Sequence, residues 1–384
     1  MIQPGLPGLN PVCSVCMFHL EGTCDGAERP EDLFAWPNKG RPDCTNPARQ
    51  VEYSVNLAQY RPEPVLNIPP VPRLPLFIPV LESGLPKDLS LPPGELYGVG
   101  LRTVVRESGR LRTTSAAQLR TLLRLPPDAR LCLSCSCDDP RIEKLWRRSL
   151  ELDTWRGLAD LCFEFVTGMT FSVWTENPRF TQKYNIERNF ASVDFFASLG
   201  VPVVPILFCP RDADLRQAGS WLRERPSMET VGGLAQFHKS NEAFTRFLDD
   251  FARIRDAAGR EIHLLVIGCA TQEKIHEAYQ RFPGATIMTN KPIRKGNSGH
   301  GFSEDLASGE QFEQTKEALI QDNIALFSRI CKGFRDGANL LQLATVSPIH
   351  STDPRQLLLP GIGLRTAESP TAPQAVRRSA KLAP

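Results

Sequence analysis

The feature that most constrains the fold is a regular alternation of short apolar runs with longer amphipathic stretches, which begins near Leu74. Short runs of branched apolar residues are typical of buried parallel strands, and the stretches between them are typical of helices. Strands are predicted at 76–81, 96–104, 130–135, 161–167, 201–208, 230–237, 263–268 and 285–290. Helices are predicted at 115–125, 141–150, 187–199, 241–258, 271–282 and 311–332.

Eight strands with intervening helices predict an α/β protein built as a (β/α)8 TIM-type barrel. Such a barrel takes roughly 250 residues as one domain, and the 384 residues of this chain hold it with room for a small appendage. An open, doubly wound sheet is the alternative. No glycine-rich dinucleotide fingerprint follows any of the predicted strands, which favours the closed barrel.

The first 60 residues form a separate region that is rich in proline and glycine and carries four of the eleven cysteines. Cys13, Cys16, Cys24 and Cys44 combine a tight first pair with two later thiols, a spacing that suits a tetrahedral metal site. We therefore predict a metal-binding module over 1–60 that holds zinc or an iron-sulfur cluster; the spacing leaves both metals open. A region so poor in apolar residues needs such a site in order to fold.

The barrel is predicted over 61–335, and the remaining residues, 336–384, are predicted to be a flexible tail rich in Pro, Ser, Thr and Arg. No apolar run is long enough to span a membrane, and residues 1–4 lack the features of a signal peptide, so we expect a cytoplasmic protein. The formal net charge of +2 excludes neither nucleic acid nor small substrates, because a local basic face matters more than the total.

Reacting groups in barrels of this type lie where the strands end, and the third predicted strand ends in a polar cluster. Cys135, Asp138 and Asp139 are candidate catalytic residues, since thiols and carboxylates can act as nucleophiles or accept hydrogen bonds from a substrate base. The alternative for one of the two aspartates is a capping role at the helix that follows.

Candidate substrate-binding residues follow three other strands. After the fourth, Gly168 permits close backbone approach, and the nearby Phe171 and Trp174 are of a type that stacks on bases or packs in a core. The sixth strand holds Gly232, Gly233, Leu234 and His238, where paired glycines can bring backbone groups to a planar ligand or form a bulge that closes the barrel. After the eighth strand, Arg294 and Lys295 lie in a predicted basic loop, which suits a phosphate group or is merely solvated.

Several of these segments resemble the tRNA-guanine transglycosylases, a family that exchanges guanine in nucleic acid for a 7-deazaguanine base and has relatives that modify DNA. The resemblance covers about 74–305 and consists of short motifs in the family's order. They are the strand 75–80, the strand 206–208 with Asp214-Leu-Arg216, the Gly232-Gly-Leu-Ala235 motif, the strand 263–268, and Pro292-Ile-Arg294 with Gly296 and Asn297.

This resemblance implies that Gly232, Gly233 and Leu234 line a base pocket and that the base-reading position falls at Thr167. Two features depart from the family pattern. The family's nucleophilic aspartate on the eighth strand is replaced by Met288, Thr289 or Asn290, and its cysteine-and-histidine zinc site after the barrel is missing from the sequence.

Three functions remain open at the level of sequence. The first is a base-modifying enzyme that exchanges a guanine or 7-deazaguanine base in DNA or tRNA, with Asp138 or Asp139 as the nucleophile and a 7-deazaguanine-type base as the second substrate. The second is a barrel enzyme on a small nucleobase or nucleoside. The third is a non-catalytic partner subunit that binds nucleic acid, which the missing strand-eight aspartate favours. No membrane partner is expected, and the sequence leaves the oligomeric state open.

Overall fold

The computed structural model describes residues 63–82, 84–174, 179–303, 306 and 314–337, and the side chains of 147–152 and 180 are not described. All of these residues belong to one compact unit. The predicted metal-binding module with Cys13, Cys16, Cys24 and Cys44, and nearly all of the predicted tail, lie outside the described residues. The structure therefore does not test the metal-binding module or the flexible tail.

All eight predicted strands are present, although each is shorter than predicted. They are β1 (Phe77–Leu81), β2 (Leu96–Gly100), β3 (Arg130–Ser134), β4 (Val166–Thr167), β5 (Val203–Val204), β6 (Thr230–Leu234), β7 (His263–Ile267) and β8 (Thr286–Thr289). Each is paired in parallel with its neighbours in the order β5-β4-β3-β2-β1-β8-β7-β6.

The two outer strands of this order, β5 and β6, meet through one parallel bridge between Ile206 and Gly232. The Gly232 N–H donates to the Pro205 carbonyl at 2.8 Å, and the Leu207 N–H donates to the Gly232 carbonyl at 3.0 Å. The eight-stranded parallel sheet is thus nearly closed into a barrel, and flanking helices accompany it. At this level the predicted (β/α)8 barrel is confirmed.

The helices fill the intervals between strands. They are α1 (Leu101–Val104), α2 (Ala116–Leu123), α3 (Asp139–Leu152), α4 (Thr154–Ala159), α5 (Arg179–Ser198), α6 (Asp212–Arg223), α7 (Asn241–Ala258), α8 (Gln272–Arg281), α9 (Lys291–Asn297) and α10 (Lys316–Arg335), with a 3-10 turn at Ala235–Phe237. Two expectations are corrected. Residues 101–104, predicted as the end of the second strand, form α1, and the predicted basic loop after β8 is α9.

Side chains from successive strands fill the barrel interior in the alternating pattern that a pleated strand imposes. One buried apolar cluster takes members from every strand or its immediate flank: Ile78, Leu96, Cys132, Phe165, Val204, Ile206, Leu234, Leu265, Ile267 and Met288. A larger cluster packs the outer face of the sheet against the helices. The interior is therefore a packed core, and the space for a ligand lies at its mouth.

Helix α5 is unusual because it is buried although many of its residues are polar. Arg179, 2% exposed, makes a two-point ion pair with the fully buried Asp214 of α6, at 2.7 and 2.8 Å. Lys183, also fully buried, reaches the same carboxylate at 3.4 Å. Such a helix has no apolar stripe, which explains why its periodicity predicted a start only at 187 instead of Arg179.

Candidate active site at the carboxyl ends of the strands

A cavity of about 900 Å³ opens where the strands end, which we call the barrel cavity. Its polar lining includes groups from the ends of five strands: Glu82 after β1, Ser136 and Asp138 after β3, Thr170 after β4, Gln236 and His238 after β6, and Thr289 and Asn290 at β8. Convergence of groups from separate strands on one mouth is the usual arrangement of active sites in this fold.

Asp138 is the candidate nucleophile that the structure brings to the barrel cavity. Its Oδ1 accepts from Arg102 Nη2 at 2.8 Å and from Cys137 Sγ at 3.0 Å, and Arg141 Nε lies 3.6 Å away. The Arg102 hydrogen bond, followed by that of Cys137, holds the pKa of the carboxyl well below its usual range. Asp138 is therefore ionised at neutral pH, and within the described chain its Oδ2 has no side-chain partner.

Asp139, the second candidate aspartate, lies outside the lining of the barrel cavity. It is the first residue of α3, and its Oδ1 accepts from the hydroxyl of Ser172 at 2.6 Å. Ser172 does line the cavity, so Asp139 supports a lining residue. The residue before the helix is Asp138, whose carbonyl accepts from the N–H groups of Arg141 and Ile142.

Cys135 and Thr167 are joined to each other away from the cavity. Both are fully buried, and the Cys135 N–H donates to Thr167 Oγ1 at 2.8 Å. Burial raises the pKa of the Cys135 thiol, which makes the thiol a weak nucleophile. The geometry gives these two residues a role in fixing the ends of β3 and β4, and neither contacts the space where a ligand would lie.

The glycines predicted to hold a base are in contact with packed side chains. A Cβ on Gly232 would lie 2.5 Å from Ile206 in the barrel interior, and one on Gly233 would lie 2.6 Å from the rings of Phe247 and Phe251 on α7. Gly168 likewise faces Val193 of α5 at 3.0 Å. The close approach that glycine allows is thus used for closing the barrel and seating helices, which favours the barrel-closing alternative for the pair.

Leu234 and His238, both candidate substrate-binding residues, line the barrel cavity. His238 is half-buried, its ring lies 4.7 Å from that of Phe247, and its carbonyl accepts from Lys274 Nζ at 2.6 Å. Burial, with the nearby Lys274 charge, lowers the pKa of His238. The imidazole is therefore neutral at neutral pH and can donate or accept one hydrogen bond.

Arg294 and Lys295 lie on α9 and are not part of the cavity lining. Arg294 is exposed, and Lys295 is half-buried. Lys291, at the start of the same helix, donates to the Ala270 carbonyl at 2.8 Å and lies 5.1 Å from the Phe302 ring. The three basic groups of α9 therefore lie outside the cavity lining, and only Arg294 among them is exposed.

Two exposed aromatic side chains stand together at the rim of the cavity. Trp174, 37% exposed, and Phe237, 49% exposed, have ring centroids 5.3 Å apart with an edge-to-face angle of 80°. Trp174 was a candidate for stacking from the sequence, whereas Phe237 was not. Large aromatic rings left open to solvent beside a polar cavity are suited to stacking on a planar ligand.

Sequence reasoning missed three further groups of the barrel cavity. Glu82 accepts a hydrogen bond from Asn290, which joins the ends of β1 and β8. Arg102 of α1 fixes Asp138, and burial raises the pKa of Asp250 on α7, so that this carboxyl retains its proton to higher pH. A charged residue at a strand end was the available signal for Glu82. Arg102 and Asp250 lie on helices, where charged residues usually face solvent.

Within the described residues, no group of three or more His, Cys, Asp and Glu side chains is arranged to hold a metal ion. The same residues include no helix that is both long enough and apolar enough to cross a bilayer. A scan against protein-family models found no match to this chain, and a search of curated proteins found none either. The class that the fold defines is a (β/α)8-type barrel, and the barrel cavity alone carries the argument for its activity.

Proposed function

We propose that the chain is a nucleic-acid base-modifying enzyme that exchanges a guanine-type base, in the manner of the transglycosylases that its motifs resemble. The observation that carries the proposal is the composition of the barrel cavity. One cavity combines an ionised carboxylate, Asp138, with an exposed aromatic pair, Trp174 and Phe237, at its rim. A nucleotide taken out of its stack needs a surface for its base and a nucleophile for its sugar.

In the proposed reaction, Asp138 Oδ2 bonds to C1′ of the target nucleotide as the bond from C1′ to the base breaks. The departing base keeps the bonding electrons and takes up a proton. The incoming guanine or 7-deazaguanine base loses a proton from its ring nitrogen, that nitrogen bonds to C1′, and the carboxylate is released. The exchange consumes and releases one proton and transfers no electrons overall, so it needs no oxidant or reductant.

Each lining group has a task in this scheme. Arg102 keeps Asp138 ionised and oriented through Oδ1, which leaves Oδ2 for C1′. Neutral His238 and Gln236, both in the lining, supply hydrogen bonds for the edge of the base. Asp250, whose pKa is raised by burial, is the carboxyl suited to give the departing base its proton.

The test is incorporation of labelled guanine into tRNA and into double-stranded and single-stranded DNA. We expect the wild-type protein to label one of these polymers and Asp138→Asn to lose at least about a hundredfold in rate, the scale on which a nucleophile acts. Phe237→Ala should chiefly raise KM. Cys162→Ser, at an exposed cysteine outside the cavity, is the matched control. Full activity of Asp138→Asn would remove Asp138 as the nucleophile.

A second candidate is an enzyme on a small nucleobase or nucleoside, and it is favoured by the position of Arg294 and Lys295 outside the cavity lining. The salt dependence of ligand binding separates the two. Binding of a polymer releases counterions and weakens steeply with salt, whereas binding of a neutral nucleoside shows little slope. A steep slope that becomes shallower in Arg294→Gln supports the polymer, and a flat one supports the small ligand.

A further inference from the structure

A second pocket of about 540 Å³ adjoins the barrel cavity and is lined by four arginines, Arg102, Arg112, Arg124 and Arg141. We call it the arginine pocket. It shares Glu82, Arg102, Thr103 and Asp138 with the barrel cavity, so a ligand of moderate size can extend from one space into the other. It lies beside the ends of β1 to β3, and none of its four arginines was a candidate from the sequence.

Two of the four guanidinium groups have no carboxylate partner among the residues that the structure describes. Arg112 Nε donates to the Arg102 carbonyl at 3.3 Å, and Arg124 Nη1 donates to the Leu85 carbonyl at 2.9 Å. Both arginines are exposed at the pocket. Backbone carbonyls hold them in place and leave their charges uncompensated.

The other two arginines share their acidic partners. Arg102 and Arg141 both contact Asp138, and Arg141 Nη2 also reaches Glu107 at 3.3 Å. The Glu107 side chain is 82% exposed, which weakens its hold on Arg141. Glu82, the remaining acid of the pocket, accepts from the uncharged Asn290. Four guanidinium groups against three carboxylates leave the pocket positive.

Arg141 supplies an observation of another kind. Its side chain is only 7% exposed, yet its Nε has no hydrogen-bond partner within the described structure, and Asp138 Oδ1 lies 3.6 Å away. Buried donors are usually paired, and an unpaired one can be completed by a ligand that brings an acceptor. An anion in the arginine pocket offers that acceptor.

We propose that the arginine pocket binds a phosphate group of the substrate while the attached nucleoside lies in the barrel cavity. Guanidinium groups match phosphate oxygens in paired hydrogen bonds, which makes arginine the preferred residue for this anion. The nucleoside half of the inference rests on the proposed function, whereas the anion half stands on the pocket alone. The phosphate is either the monoester of a free nucleotide or a diester of a strand.

The first experiment measures the binding of phosphate to the arginine pocket without any nucleoside. Inorganic phosphate is titrated into the full-length protein at constant ionic strength, and the Kd is obtained from the rise in melting temperature. Arg112→Gln and Arg124→Gln should each raise that Kd at least about tenfold, as expected for loss of one charge-assisted contact. Arg246→Gln, at an exposed helix arginine paired with Glu242, is the control and should bind as the wild type does. Equal Kd values in all four proteins overturn the inference.

The second experiment tests whether the bound phosphate belongs to a nucleotide. Guanosine, guanosine 5′-monophosphate and a short oligonucleotide without terminal phosphates are compared by calorimetry. We expect the Arg112 and Arg124 variants to bind a phosphate-bearing ligand more weakly and to bind guanosine as the wild type does. Weaker binding of the monophosphate shows that the pocket takes a phosphate monoester, and weaker binding of the oligonucleotide shows that it takes the diester of a strand. If none of the three binds while inorganic phosphate does, the anion site stands and the proposed function falls.

Discussion

Arg102 Nη2 and Asp138 Oδ1 lie 2.8 Å apart and join the residues that follow β2 and β3 at the rim of the barrel cavity. The arginine side chain is 69% exposed and the aspartate 40%, so water screens the pair and its effect on stability is small. Its effect on ionisation is larger, because the Arg102 hydrogen bond is the main reason that the pKa of Asp138 lies well below 3.8.

This pair predicts the pH dependence of Arg102→Gln. Without the guanidinium, the pKa of Asp138 rises toward its ordinary value of 3.8, so the carboxylate protonates at higher pH. We expect the acid limb of the base-exchange rate against pH to move upward, while the rate near neutral pH falls less than in Asp138→Asn. The profile of kcat/KM from acid to neutral pH measures this shift. An acid limb that stays in place means that Asp138 does not act as a free carboxylate.

Gly233→Ala tests whether the glycine pair serves packing. Its new Cβ would lie 2.6 Å from two phenylalanine rings of α7, and overpacking of this kind costs about 1–3 kcal/mol. Gly284→Ala is the control, since its Cβ would meet only His263, at an ordinary 3.7 Å. Urea unfolding should show a lower free energy of unfolding for Gly233→Ala alone. Unchanged stability together with lost guanine binding would return the glycine to a ligand-holding role.

Asp214→Asn should be strongly destabilising. The substitution takes the carboxylate away from Arg179 and Lys183, both buried, and removing one partner of a buried ion pair costs about 3–5 kcal/mol. Asp212→Asn, two residues earlier, breaks an exposed pair with Arg253 and should cost under about 1 kcal/mol. Chemical denaturation of the two variants gives the comparison, and similar losses would contradict this account of α5.

His263 predicts a loss of stability in acid. Burial lowers its pKa from 6.5 to about 4, so the unfolded chain binds a proton in that interval and the folded protein does not. Stability contributed by the neutral ring is complete above pH 6.5 and is lost as the pH falls toward 4, by about 3 kcal/mol in total. His263→Gln keeps an N–H for Thr286 Oγ1, the partner of His263 Nε2 at 2.9 Å. In this variant the free energy of unfolding should depend less steeply on pH between 4 and 6.5. An unchanged slope would show that His263 is not the source of the acid loss of stability.

The four N-terminal cysteines predict a metal in the purified protein. We expect elemental analysis after anaerobic purification to find either zinc, in a colourless protein, or iron with visible absorbance. Cys13→Ser should lose that metal, and Cys162→Ser, at an exposed barrel cysteine, should retain it. Equal metal content in both variants would show that Cys13 is not a ligand.

Individual elements show how much of the fold can be predicted from the sequence. Helix α7 has the predicted bounds, 241–258, because its apolar stripe is regular and Ser240 caps it. Only Val166–Thr167 of the predicted strand 161–167 form a ladder, since an apolar run does not distinguish a strand from a buried coil. Helix α9 was missed although Pro292 stands in its first turn, a known start signal.

The sequence by itself determined the eight strands and six of the ten described helices, and hence the barrel, because hydrophobic periodicity is local information. It also placed Asp138, Leu234 and His238 at strand ends, where the fold puts its chemistry. Only the tertiary structure decided which polar groups meet. Arg102 and Asp138 are 36 residues apart, and the arginine pocket gathers side chains from 82 to 141. Such contacts depend on strand order and helix packing, which no stretch of sequence encodes alone.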